Sequence, residues 1–218
     1  MKFIVSIITL FIIATGALAQ QDKQAKAILD QLSKTTKAHK TIVANFTSTA
    51  VNKEANMNEV YKGKLWQKGD KYKLEFMDAT TFFNGKNKWV YMPDVQEVNL
   101  FAVNEAENSD NIFDNPQKVF TIYEEGFKYL YTGEKPFNGQ KSHEIELIPT
   151  DTKKEYFKIK LYVNKAKTQI VGFKYFAKDG TRVNVTIDSF KVDQKLKNNM
   201  FTFDKKEFPD AEIIDMRE

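Results

Sequence analysis

The chain has no cysteine among its 218 residues, and that one absence removes several chemistries together. Without thiols there are no disulfides, no thiolate nucleophile and no cysteine-based zinc site. Histidine is nearly as scarce, with His39 and His143 alone, and no HExxH or similar spacing surrounds either. Both read as structural residues. Charge of one sign is missing too: 33 basic side chains face 29 acidic ones, for a formal charge of +4. Lysine and glutamate alternate along most of the chain, so no nucleic-acid stripe forms. Proline, at 5, and glycine, at 9, are too few for a low-complexity or linker segment. The Gly-Lys pairs in "NGKNK" and "GEKPFNGQK" lack phosphate-loop spacing and read as hairpin turns. Glu144 and Glu146 share one strand face and read as solvated carboxylates. No catalytic constellation emerges, and the expectation is a protein that is not an enzyme and needs no cofactor or metal.

Long apolar runs occur once. Met1-Lys2 precedes an apolar stretch from Phe3 to Ala14, and Ala17-Leu18-Ala19 matches a small-x-small cleavage pattern. Residues 1–19 read as a cleaved export signal, leaving 20–218 as one domain. No cysteine follows the leader to take a lipid anchor. An exported domain without disulfides must be held by its core.

What the chain has in quantity is aromatic residues: 18 Phe, 9 Tyr and 2 Trp. Such a load fills a core, lines a pocket, or does both. Residues 22–38 read as one amphipathic helix, with Asp22 as N-cap and Ala25, Ile28, Leu29 and Leu32 at helical spacing. Most of the remaining chain alternates with period two. The segment "YKGKLWQKGDKYKLEF" reads as a hairpin with Tyr61, Gly63, Leu65, Tyr72, Leu74 and Phe76 on one face. Trp66 stands on the other face, among lysines. A second hairpin carries Asn84-Gly85 as a two-residue turn signal. Residues 104–115 are polar and turn-rich, with Ile112 and Phe113 as isolated apolar positions. Asn115-Pro116 opens a second helix containing Phe120 and Ile122. Further strands occupy 127–132, 141–149, 155–163, 168–177 and 181–192. "NNMFTF" gives one more short element, and an acidic-aliphatic tail ends the chain. The predicted fold is mainly β, a single large curled antiparallel sheet of about ten or eleven strands forming an unclosed barrel, with helices over an apolar cavity.

Several motifs occur in a recognisable order: "ANFT" at 44–47, "GKLWQK" at 63–68, "NGKNKWVYMP" at 84–93 with Gln96 after it, and "FTF" at 201–203 before an aliphatic tail. In this order they resemble the LolA-type periplasmic carriers of outer-membrane lipoproteins, over about residues 22–216. The resemblance implies an unclosed barrel whose helical lid covers a cavity for acyl chains. Cargo would come from an inner-membrane lipoprotein-releasing ABC transporter and pass to an outer-membrane acceptor. The carrier would be a periplasmic monomer, performing no covalent chemistry and binding no nucleic acid.

On that resemblance, Tyr72, Leu74 and Phe76 are cavity-facing, and Trp89 and Tyr91 fall in the family's Trp-x-Tyr-x-Pro strand. The candidate cavity residues are Tyr61, Leu65, Tyr72, Leu74, Phe76, Trp89, Tyr91, Phe113, Phe120 and Ile122, with Ile28, Leu29 and Leu32 on the lid helix. One departure stands out. Many members carry Arg-Pro in the turn after Leu-Trp, where the Arg helps hold the lid, whereas this chain has Lys68-Gly69-Asp70. An apolar cavity does not name its ligand, so a carrier or sensor of another lipid or a pigment precursor is the alternative.

Overall fold

The computed structural model describes residues 22–102 and 126–217. The expected leader at 1–19, the second helix, and Phe113, Phe120 and Ile122 lie outside them.

Helix α1 (Lys23–Ala38) begins as its sequence dictates. One carboxylate oxygen of Asp22 accepts from the N–H groups of Gln24 at 2.8 Å and Ala25 at 3.0 Å, satisfying donors that a helix start leaves unpaired. The strands are β1 (Thr41–Asn52), β2 (Met57–Lys68), β3 (Lys71–Phe76), β4 (Ala79–Phe83), β5 (Asn87–Met92), β6 (Glu97–Ala102), β7 (Phe127–Phe137), β8 (Gln140–Pro149), β9 (Tyr156–Asn164), β10 (Ile170–Ala177), β11 (Arg182–Val192) and β12 (Glu212–Asp215). They form one sheet in the order β12-β6-β5-β4-β3-β2-β1-β11-β10-β9-β8-β7. The two end strands do not pair with each other, so the sheet is unclosed.

Among the described residues the sheet has twelve strands, where about ten or eleven were expected. The addition is the tail. Glu212 and Met216 donate their N–H groups to the carbonyls of Gln96 and Leu100 at 2.7 and 2.8 Å, pairing β12 parallel to β6 along an edge that would otherwise be open. The short element expected at "NNMFTF" is a 3-10 helix, Asn198–Phe201.

Tight turns set the registers. Gly69, at φ +55°, takes the first central position of the β2–β3 turn, where a left-handed residue is required. In the β4–β5 loop, Asn84 N–H donates to the Asn87 carbonyl at 3.2 Å. The central pair is therefore Gly85-Lys86, one residue later than the Asn84-Gly85 reading. The Asn84 side chain instead accepts from the N–H groups of Lys86 and Asn87, both at 2.9 Å.

Each strand sends alternate side chains to opposite faces. The face beneath α1 is the inner one. There Ala25, Leu29 and Leu32, all at 0% exposure, join Ile42, Tyr129, Ile145, Leu147, Leu161 and Phe173 in the main core. Truncating a buried leucine in such a core costs about 2–5 kcal/mol. A β-bulge between Asn45 and Phe46 shifts the β1–β11 register at the middle of this surface.

Candidate functional site

Beyond the area under α1, the inner face of β2–β4 carries Leu65, Tyr72, Leu74 and Phe83 as one buried cluster, with Phe46 and Phe76 packed against it. Register explains the assembly. Leu65 pairs with Leu74 and Tyr72 with Phe83, so their side chains meet across neighbouring strands. The Tyr72 and Phe83 rings lie 5.2 Å apart, and Phe46 lies 5.3 Å from Phe76. Phe46 also packs against the main core, which makes the two apolar regions one continuous surface.

The predicted residues Leu65, Tyr72, Leu74 and Phe76 are thus together, with Tyr61 at the rim. The Tyr61 ring meets Phe76 edge-on at 6.1 Å, and its hydroxyl donates to Glu59 at 2.7 Å, leaving the ring's apolar body toward the cluster. Of the helix positions, Leu29 and Leu32 are fully enclosed in the main core, and Ile28 is partly buried against it.

Trp89 and Tyr91 go elsewhere. Phe76 pairs with Ala79 across Met77-Asp78, which puts Thr81 and Phe83 inside and Phe82 outside. Phe82 pairs with Trp89 and Thr80 with Tyr91, so both aromatics of the second hairpin stand on the outer face. The C-terminal segment covers them there, burying Trp89 and half-burying Tyr91. Trp89 shares a cluster with Phe82, Val98, Leu100, Phe203 and Ala211, while Tyr91 packs on Phe208 at 4.6 Å. Strand parity, counted through the two turns, already separates them from Leu74.

The candidate cavity residues leave out Phe46 and Phe83, and also Gly63, which the alternation places on this face. Phe83 follows from the same parity count. Gly63 has a steric reason: a methyl group there would overlap the Phe46 ring. Glycine lets that ring lie flat on the β2 backbone.

An opening adjoins this cluster. β2 pairs with β1 along its whole length, but with β3 only from Lys64 to Lys68. The turn at Met77-Asp78 takes the chain away, and the remainder of β2 borders a cavity of about 910 Å³. Phe46, Tyr61 and Phe76 line its inner side, Met77 and Asp78 its rim, and Lys62, Lys64, Glu75 and Asp188 its polar outer side. The arrangement can shelter an apolar chain but presents no nucleophile with a base, and among the described residues no cluster of three or more His, Asp or Glu could hold a metal.

The titratable groups serve the scaffold. Glu144, expected to be solvated, is 2% exposed on the outer face. Its carboxylate accepts from Lys135 (2.7 Å), Thr132 (2.7 Å), Tyr162 (2.7 Å) and Lys160 (3.3 Å). Burial alone would raise its pKa, but these hydrogen bonds outweigh burial and hold the group down at about 2. Burial and the same carboxylate push the Tyr162 phenol up. His143 lies 3.2 Å from the Tyr131 hydroxyl, and burial pushes its pKa down. His39 pairs with Asp193 at 3.5 Å. Trp66 keeps its place on the outer face, with the ammonium groups of Lys64 and Lys73 at 4.5 and 5.2 Å from its ring centroid.

Solved structures resemble this one to different degrees. An uncharacterised conserved protein of Thermus thermophilus superposes with a TM-score of 0.56 at 14% identity, covering 88% of this chain and 99% of that one. A putative outer membrane lipoprotein-sorting protein domain of Vibrio parahaemolyticus gives 0.46 at 13% identity, over 82% and 96% of the two chains. A LolA superfamily protein of Nitrosomonas europaea gives 0.45 at 13% identity, over 82% and 97%. The first of these likenesses concerns the fold alone. No curated protein matches the chain. Residues 37–204, however, match the family described as outer membrane lipoprotein carrier protein LolA, and the chain belongs to that family.

Proposed function

We propose that the protein is a periplasmic carrier that takes the acyl chains of lipoproteins onto the inner face of β1–β4 and shuttles them from the inner to the outer membrane. One observation carries the reading: an aromatic-lined apolar surface, continuous through Phe46, meets a cavity of about 910 Å³ at the free length of β2. Each methylene hidden from water is worth about 0.8 kcal/mol, so an acyl chain of some sixteen carbons costs on the order of 12 kcal/mol to expose. A shuttle between membranes has to hide that surface. Rigid rings such as Phe46, Phe76 and Tyr72 suit the task, because they hold a wall open at little conformational cost.

The leader at 1–19 accounts for export, the carrier domain comprises 20–218, and cargo comes from a releasing transporter and goes to an outer-membrane acceptor. The family description, a carrier, supports a role without covalent chemistry. At the turn where many members carry Arg-Pro, Lys68 donates to the Leu196 carbonyl at 3.1 Å, which fastens the crossing C-terminal segment. The helix is fastened separately, by Asp22.

The test is Leu74→Glu, which places a carboxylate in the centre of the surface. The folded variant is expected to lose retention of acylated protein in a pull-down from cells. Unchanged retention by the folded variant would remove the inner face from the mechanism.

A further inference from the structure

We propose that the outer face around Trp66, whose Lys62 and Lys64 also border the cavity, is a docking surface for anionic lipid bilayers. Sequence alternation builds it. Lys62, Lys64 and Lys68 on β2 and Lys71 and Lys73 on β3 all share the outer face with Trp66. Register extends the same surface to β11: Trp66 pairs with Val43, and Val43 with Lys191, which is exposed. Lys195 and Lys197, also exposed, lie on the segment that crosses from β11 past Lys68. The acidic groups beside these lysines are Asp70 in the turn, Glu75, which pairs with Lys73 at 2.9 Å, Asp188, which accepts from Thr47 at 2.8 Å, and Asp193, which pairs with His39 at 3.5 Å. Positive charge dominates this face, in a chain whose charges otherwise nearly balance.

The Trp66 ring organises the patch. It is half-buried, with Lys64 above it at 4.5 Å and Lys73 at 5.2 Å. The Lys73 ammonium also lies 5.3 Å from the Phe82 ring, between two aromatic surfaces. Cation–π contact holds the ammonium groups side by side while their aliphatic stems cover the ring. An aromatic anchor for a protein partner fills a pocket on that partner and has to project. This ring is half-buried beneath two ammonium groups, an arrangement that suits the diffuse negative charge of a bilayer surface.

The test is co-sedimentation of the mature protein with vesicles of phosphatidylcholine alone, or with roughly one third phosphatidylglycerol added to give an anionic surface. A lysine near an anionic surface contributes roughly a fivefold change in partitioning. The triple variant Lys62→Gln, Lys64→Gln, Lys73→Gln is therefore expected to lose on the order of a hundredfold in binding to the anionic vesicles. The control Lys23→Gln, Lys34→Gln, Lys37→Gln removes the same charge from α1 and should stay within about threefold of wild type, and raised salt should release the protein. Circular dichroism and melting confirm that both triples fold. Binding to neither vesicle, equal binding to both, equal loss in the two triples, or lysine-dependent capture of an acidic protein without vesicle binding would each overturn the proposal.

Discussion

The Phe46 ring lies on the backbone of Gly63, across the β1–β2 pair, at the point where the main core meets the aromatic cluster of β2–β4. The contact requires that Gly63 have no side chain. Gly63→Ala is predicted to displace the ring, with an overpacking cost of about 1–3 kcal/mol in chemical denaturation. The same variant should retain acylated ligand less well, because the displaced ring occupies the approach to the cavity.

Asp22 ties two elements with one carboxylate. One oxygen caps α1, while the other accepts the Tyr131 N–H of β7 at 2.9 Å. These backbone hydrogen bonds, first that of Ala25, lower its pKa below the ordinary aspartate value. Asp22→Ala is predicted to cost about 1–2 kcal/mol at neutral pH. A folded-state pKa below the unfolded one gives stability that is present above the unfolded value and lost as pH falls through the folded one. The gap between wild type and variant should thus narrow on acidification. Melting at neutral and acid pH measures it.

Glu144 gives a sharper pH signature, since its carboxylate is almost wholly buried and titrates at about 2. An unfolded glutamate titrates near 4.3, so the contribution is complete above about pH 5 and disappears as pH falls toward 2. Glu144→Gln is predicted to cost about 3 kcal/mol at pH 7, because Lys135 loses its buried counter-charge and Lys160 keeps only Glu146. Urea unfolding at pH 7 and near pH 3 should show that difference shrinking.

Met77 and Asp78 both have positive φ, 51° and 57°, in the two-residue turn between β3 and β4. Methionine is poorly suited to that conformation, whereas asparagine adopts it readily. Met77→Asn is predicted to stabilise by up to about 1 kcal/mol, a rise in Tm of about 2–4 °C for a domain of this size. Met77 is 53% exposed at the rim, so little packing is lost.

Much of this molecule was legible because period-two patterns and turn residues are local signals. Asp22, the Ala25–Leu32 stripe and the alternation through Leu65, Tyr72 and Leu74 each specify a face or a cap from a few neighbouring residues. The failures are non-local. Nothing near Trp89 reveals that Phe203 and Phe208, more than a hundred residues later, cover the outer face and make a buried site there. Glu144 looks solvated until β7 and β9 bring Thr132, Lys135, Lys160 and Tyr162 around it. The tail becomes β12 only because β6 offers an edge. Phe46 and Phe83 needed only a parity count carried through the turns.

Native mass spectrometry of the protein purified from its own cell envelope tests the carrier reading most directly. Wild type is expected as a complex with acylated protein, and folded Leu74→Glu without it. A ligand-free wild type, or a bound species that persists in folded Leu74→Glu, would contradict the carrier reading.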